Sequence, residues 1–140
     1  MRIVLNIIDK RFAINRVVIK SVLRQVLNGE RAANRSVDII YCRDREIIAL
    51  NRKFRGKNRS TDVLAFELSD ADDSLYLGEV YVNLQMARRQ ARAFDVPYPE
   101  EVKRLTIHGV LHLLGFDDDT AFSRSRMWAR QEGYLNNGKK

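Results

Sequence analysis

The chain holds two histidines, and they stand four residues apart in the run His108-Gly109-Val110-Leu111-His112-Leu113-Leu114-Gly115-Phe116-Asp117-Asp118-Asp119. At about 3.6 residues per helical turn, that spacing stacks both imidazoles on one helix face. Gly115 can adopt the left-handed conformation that ends a helix, so the chain can then fold back and present a carboxylate. Two imidazoles and one oxygen ligand make a three-ligand metal site with an open position, the arrangement of catalytic zinc centres. Histidine pairs on apolar helix faces also occur as hydrogen-bonded core residues, but an imidazole without a partner in such apolar surroundings would be costly. Spacing alone leaves Asp117, Asp118 and Asp119 all open as the oxygen ligand, and Asp119 or Thr120 equally suits the cap of a following helix. The pattern is close to the zinc-protease sequence H-E-x-x-H, yet its second position is Gly109. The general base of those proteases is missing, which disfavours peptide hydrolysis by that route.

A second feature is charge. The net charge is +7, and it is concentrated. Arg43, Arg45, Arg52, Lys53, Arg55, Lys57 and Arg59 face only Asp44 and Glu46, a local excess of five positive charges. Such a segment is either a solvated helix face and loop or a phosphate-contacting surface whose binding would be salt-dependent. Phe54 and Phe66 lie near it and could stack bases, although core packing is the expectation for both. Asp62, at the start of a strand beside this loop, is a polar residue for a turn or a cap as readily as for a base.

The elements that must position these residues follow from hydrophobic periodicity and caps. The apolar stretches Met1 to Ile8, Val37 to Cys42, Asp62 to Leu68 and Leu77 to Val82 read as four strands, the last two joined by an acidic loop, Ser69 to Ser74. Asn15 suits the cap of a first helix, closed by Asn28-Gly29. Asp44 suits the cap of a second helix, with Ile47, Leu50, Asn51 and Phe54 on one face, and Asn83 that of a third. Pro99, Glu100 and Glu101 suit the first turn of a fourth helix, which carries the histidines, and a fifth runs from about Thr120 to Leu135. The fold class expected is α+β with mixed α/β character: a small mixed four-stranded sheet packed against about five helices, in one domain over residues 1–140. One cysteine, Cys42, excludes an internal disulfide framework. The apolar start of the chain is too short for a signal-peptide core or a membrane span, so a cytoplasmic protein without membrane partners is expected.

These residues together resemble the YbeY family of bacterial metal-dependent endoribonucleases. The family motif H-G-x-L-H-L-x-G-[YF]-D-H is matched by HGVLHLLGFDD. The block Y-R-G-K-x-x-x-T-[DN]-V-L-S-F is similar to Phe54-Arg55-Gly56-Lys57 with Thr61-Asp62-Val63-Leu64-Ala65-Phe66. Leu77-Gly78-Glu79-Val80 matches L-G-[DE]-[IV], and Met127-Trp128 with Gln131-Glu132 is similar to the family's last helix. The resemblance implies a metzincin-like metal helix and one zinc ion, with other divalent metals admissible. His108 and His112 would be ligands and Arg55 a residue needed for activity. It also implies single-stranded RNA as substrate, notably small-subunit ribosomal RNA near its 3′ end, with the small ribosomal subunit as partner and a role in ribosome quality control. The sequence leaves the oligomeric state open, with a monomer as the expectation. The family's third histidine falls on Asp118. Aspartate is a competent third ligand, but its charge weakens the pull of the metal on bound water and admits harder ions such as manganese. The alternative is a non-catalytic RNA-binding factor of ribosome assembly with a structural or weakened metal site.

Overall fold

The structure is a computed structural model that describes residues 2–68 and 75–137; the acidic loop Ser69 to Ser74 lies outside the described residues. Four strands and five helices follow in the order β1 (Arg2–Ile7), α1 (Arg16–Gly29), β2 (Ser36–Cys42), α2 (Asp44–Arg55), β3 (Val63–Glu67), β4 (Tyr76–Asn83), α3 (Leu84–Phe94), α4 (Tyr98–Leu113) and α5 (Ala121–Asn137). The sheet order is β1-β2-β4-β3. The β1–β2 and β2–β4 pairs are parallel and β3 runs antiparallel to β4. This is the mixed sheet and α+β class expected.

β2 is buried on both faces. Val37, Ile39 and Tyr41 point into the main core with Val80 and Val82 of β4, while Cys42 turns to a smaller core with Ile47 and Leu64. A strand covered on both sides reads as a near-continuous apolar run, and here Asp38 alone interrupts Val37 to Cys42, its carboxylate accepting from the Tyr76 hydroxyl at 2.8 Å. Burial pushes the Cys42 thiol up to about 12, so it is inert as a nucleophile. The main core gathers α1 through Leu23, Val26 and Leu27, α4 through Leu105, Ile107, Val110 and Leu111, and α5 through Met127 and Leu135. Among the described residues no helix is long and apolar enough to cross a membrane.

Asn15 and Asn83 cap α1 and α3, their side chains accepting from the Val18 and Met86 amides. α1 ends at Gly29 as expected, and the left-handed turn that follows falls at Arg31, φ 59°; at 29 a Cβ would meet the Tyr134 ring of α5, so glycine serves packing there. Two local expectations are corrected. Asp44 is the first residue of α2 rather than its cap. The Glu46 side chain accepts from the Arg43 amide at 3.1 Å, and the Asp44 carboxylate is engaged elsewhere. Phe54 is 58% exposed instead of packed in the core, while Phe66 is partly buried against it edge-on, ring centroids 5.4 Å apart.

Candidate metal centre and RNA cleft

α4 carries the histidines across the sheet on its main-core side. Its other residues explain why it lies so close. A Cβ at Gly109 would collide with Val80 Cγ1 and press on Val63 Cγ2 at 3.1 Å. Glycine therefore lets the helix backbone settle onto β4 and β3, which sets His108 and His112 beside the edge strand. The same fact explains the missing protease base: a side chain at 109 would enter the sheet.

α4 ends where expected. The Gly115 amide donates to the His112 carbonyl and the Phe116 amide to that of Leu111, both at 3.1 Å, with Gly115 at φ 102°. Only glycine takes that conformation without strain. The chain that returns puts the three aspartates in different roles. Asp117 accepts from the Asp119 amide at 3.1 Å. A hydrogen bond from Ser123 chiefly holds its carboxyl below the usual range. Asp119 supplies that amide to the turn. Thr120 caps α5, trading hydrogen bonds with Ser123 at 3.0 Å in both directions. Asp118 is the aspartate that lines a cleft together with His108 and His112.

That cleft, of about 340 Å³, is bounded on one side by α4 and on the other by Arg55, Lys57, Arg59 and the start of β3. All four residues singled out for the site, Arg55, His108, His112 and Asp118, therefore share one cavity although they span 64 positions of sequence. His108 is half-buried; His112 and Asp118 are exposed at the rim. Among the described residues no three His, Cys, Asp or Glu side chains are gathered tightly enough to close a metal shell.

The donor set nevertheless fits an ion at the histidines. Gln131 of α5 donates its amide NH2 to Glu132 at 3.1 Å, so its carbonyl oxygen faces His108 Nδ1 at 2.8 Å. A carbonyl can only accept, so Nδ1 carries the proton and the lone pair lies on Nε2, the form that a metal takes. Arg104 anchors this chain, donating to both oxygens of Glu132 at 2.9 and 3.0 Å and to buried Glu101 at 2.7 Å. Burial raises the Glu132 carboxyl, but the Arg104 guanidinium more than offsets this and keeps it ionised below its usual range. Sequence reasoning noted Gln131 and Glu132 only as a resemblance and missed Arg104, because the contact joins α4 to α5 across more than 20 residues.

The basic wall is smaller than its composition indicates. Arg43 and Arg45 both pair with Glu46 at 2.9 Å. Arg52 donates to Asn58. Arg55, at the end of α2, rests its guanidinium over the Phe66 ring, 5.8 Å from the centroid. Among the described residues Arg55, Lys57 and Arg59 make no salt bridge, so the net positive charge of the segment is delivered to the cleft. Two side chains that the sequence placed only on the α2 face and at the α3 cap hold the loop in place. Buried Asn51 donates to the Arg59 carbonyl at 3.0 Å. Asn83 donates to Asp44 at 2.7 Å, to Ser60 at 3.0 Å and to the Thr61 carbonyl at 3.1 Å. Asp44 also accepts two hydrogen bonds from Arg89 at 2.9 and 3.0 Å, which chiefly hold its carboxyl down at about 2.

Fold and cleft define a class: α+β proteins in which the last strand of a mixed sheet, a two-histidine helix and a cationic loop meet. The comparisons place the chain within it. The family model for endoribonuclease YbeY matches residues 6–139. An endoribonuclease YbeY from Chlorobaculum tepidum is 35% identical over 122 residues, covering 87% of this chain and 88% of the relative. One from Chlorobium phaeovibrioides is 38% identical over 125 residues, covering 89% and 83%. The solution structure of TM1509 from Thermotoga maritima superposes with a TM-score of 0.67 at 29% identity, over 97% of this chain and 87% of the other. The chain belongs to the endoribonuclease YbeY family.

Proposed function

We propose that this endoribonuclease cuts single-stranded RNA in the cleft between α4 and the Arg55–Arg59 loop, in ribosomal RNA processing, at a divalent metal held by His108, His112 and Asp118. Family membership supplies the activity and its place in RNA processing. Zinc is the ion that best suits two imidazoles and a carboxylate. The small ribosomal subunit as partner and a cytoplasmic location complete the reading. The single observation that carries it is the convergence of Arg55, His108, His112 and Asp118 on one cavity.

When bound, the ion supplies polarisation of a phosphoryl oxygen and activation of water. The remaining work falls to the chain. Arg55 donates to a non-bridging phosphate oxygen and stabilises the charge that grows there during cleavage. Its position over Phe66 limits the rotamers it must give up on binding. Lys57 and Arg59 hold neighbouring phosphates, and β3, last in the sheet order, lines the cleft beside them. Gln131 keeps His108 in the Nδ1–H form. Asp118, exposed on the turn after Gly115, lines the same cleft and would complete the ligand set.

The rim position of Asp118 also favours a second reading, a non-catalytic RNA-binding assembly factor with a weakened metal site. Incubation of the protein with single-stranded RNA, with and without chelator, separates the two. The enzyme reading requires cleavage that chelator abolishes and that both His112→Ala and Arg55→Ala lose. Full activity in Arg55→Ala would remove that residue from the mechanism. RNA binding without cleavage, unchanged in Asp118→Ala, would establish the binding factor.

A further inference from the structure

A second groove, of about 490 Å³, opens on the other side of His108. It shares Asp62 and His108 with the catalytic cleft and continues between α3 and α5. Two large aromatic side chains line it while standing in solvent, Phe94 at 62% and Trp128 at 57% exposed. Its chemistry is the opposite of the cleft's. Among the described residues the only permanent cation in its wall is Arg104, which is compensated by Glu100, Glu101 and Glu132. Asp62 and the carboxamide of Gln90 give hydrogen-bonding groups among the apolar surfaces, with Gln90 donating to Asp62 at 3.3 Å. A phosphate finds no free positive charge there, whereas a flat uncharged ring with polar edges finds aromatic faces and polar partners.

We infer that the groove walled by Phe94 and Trp128 is a nucleobase subsite, taking the base of a nucleotide next to the phosphate held at Arg55. The inference rests on the reading of the neighbouring cleft as the RNA-cutting site and adds to it how a single strand is divided: backbone to the cationic cleft, base to the aromatic groove. It also gives a reason for single-strand preference, since a paired base cannot leave its stack to enter.

Trp128 is the only tryptophan in the chain, so any change in tryptophan fluorescence comes from this wall of the groove, and the abasic oligomer separates base stacking from events at neighbouring His108 and Asp118. The test mixes wild-type protein with a short single-stranded RNA in a stopped-flow instrument and reads the amplitude before turnover, beside an oligomer of the same length carrying abasic ribose at every position. Fluorescence anisotropy of labelled oligomers gives the two affinities. The expected result is quenching by RNA and none by the abasic oligomer, with Phe94→Ala and Trp128→Ala each weakening RNA roughly tenfold and leaving the abasic oligomer unchanged. Salt-dependent binding of RNA and abasic oligomer with equal affinity, and no change at Trp128, would overturn the subsite and leave the cleft reading standing. Failure to bind or cut RNA at all would overturn both.

Discussion

Replacing Gln131 by alanine tests how the histidine helix is made ready for a metal. Gln131 is 3% exposed, and its carboxamide bridges two groups: the oxygen accepts from His108 Nδ1 at 2.8 Å and the nitrogen donates to Glu132 at 3.1 Å. In Gln131→Ala the half-buried ring loses the partner that fixes its proton on Nδ1, and it divides between tautomers and ring orientations. Losing a hydrogen-bond partner behind a ligating histidine lowers metal affinity about 10- to 100-fold, which is about 1.4–2.8 kcal/mol. The variant should also lose about 1–2 kcal/mol of stability from the bond and the small cavity. Competition for zinc against a chromophoric chelator gives the affinity, and imidazole nitrogen chemical shifts in the metal-free protein give the tautomer. Gln131→Glu keeps an acceptor on Nδ1–H and should bind zinc at least as tightly as the wild type. Zinc affinity in Gln131→Ala within twofold of the wild type, with His108 still in the Nδ1–H form, would refute the reasoning.

Three further outcomes follow from the same geometry. If Arg55, Lys57 and Arg59 each meet one phosphate, log Kobs for single-stranded RNA falls with log salt at a slope of about −2, and Lys57→Ala or Arg59→Ala each removes about 0.7 of it; an unchanged slope in both variants would place the strand elsewhere. Gly109→Ala should cost about 1–3 kcal/mol in urea unfolding through overpacking against Val80 and Val63, and wild-type stability in that variant would mean that α4 does not need its close approach. The Asp44 carboxyl sits at about 2 in the folded chain against an ordinary 3.8, so its pairing stabilises the fold above pH 3.8 and is lost as pH falls through about 2. The stability gap between wild type and Asp44→Asn should be at most about 2 kcal/mol at neutral pH, since half-exposed Arg89 is screened, and should shrink on acidification; a pH-independent gap would contradict the assignment.

What could be read in advance was local. The i,i+4 histidine spacing, the Gly115 stop and the asparagine caps of α1 and α3 each depend on a few neighbouring residues, and each appears in the structure. The resemblance added Arg55, which no local pattern separates from Lys53 or Arg59. The errors have non-local causes. Asp44 has the right residue type for a cap, but Arg89, Asn83 and Ser60 claim its carboxylate from 16 to 45 residues away. Phe54 follows the apolar face of α2 yet falls past the end of the small core, where Phe66 gives it an edge and solvent takes the rest. Spacing could not choose among Asp117, Asp118 and Asp119; the turn after Gly115 and the Ser123 hydrogen bond separate them. The Gln131–Glu132–Arg104 chain needed the packing of α5 on α4 to be known.

The central claim is that RNA is cut at a metal bound in this cleft. Its most direct test is to measure metal content and single-stranded RNA cleavage on one preparation as isolated, after stripping by chelator, and after stepwise return of zinc. The account predicts that cleavage disappears with the metal, returns in proportion to zinc, and saturates at about one ion per chain, as a single His108–His112–Asp118 site requires. Full cleavage by stripped protein with no measurable metal would contradict it.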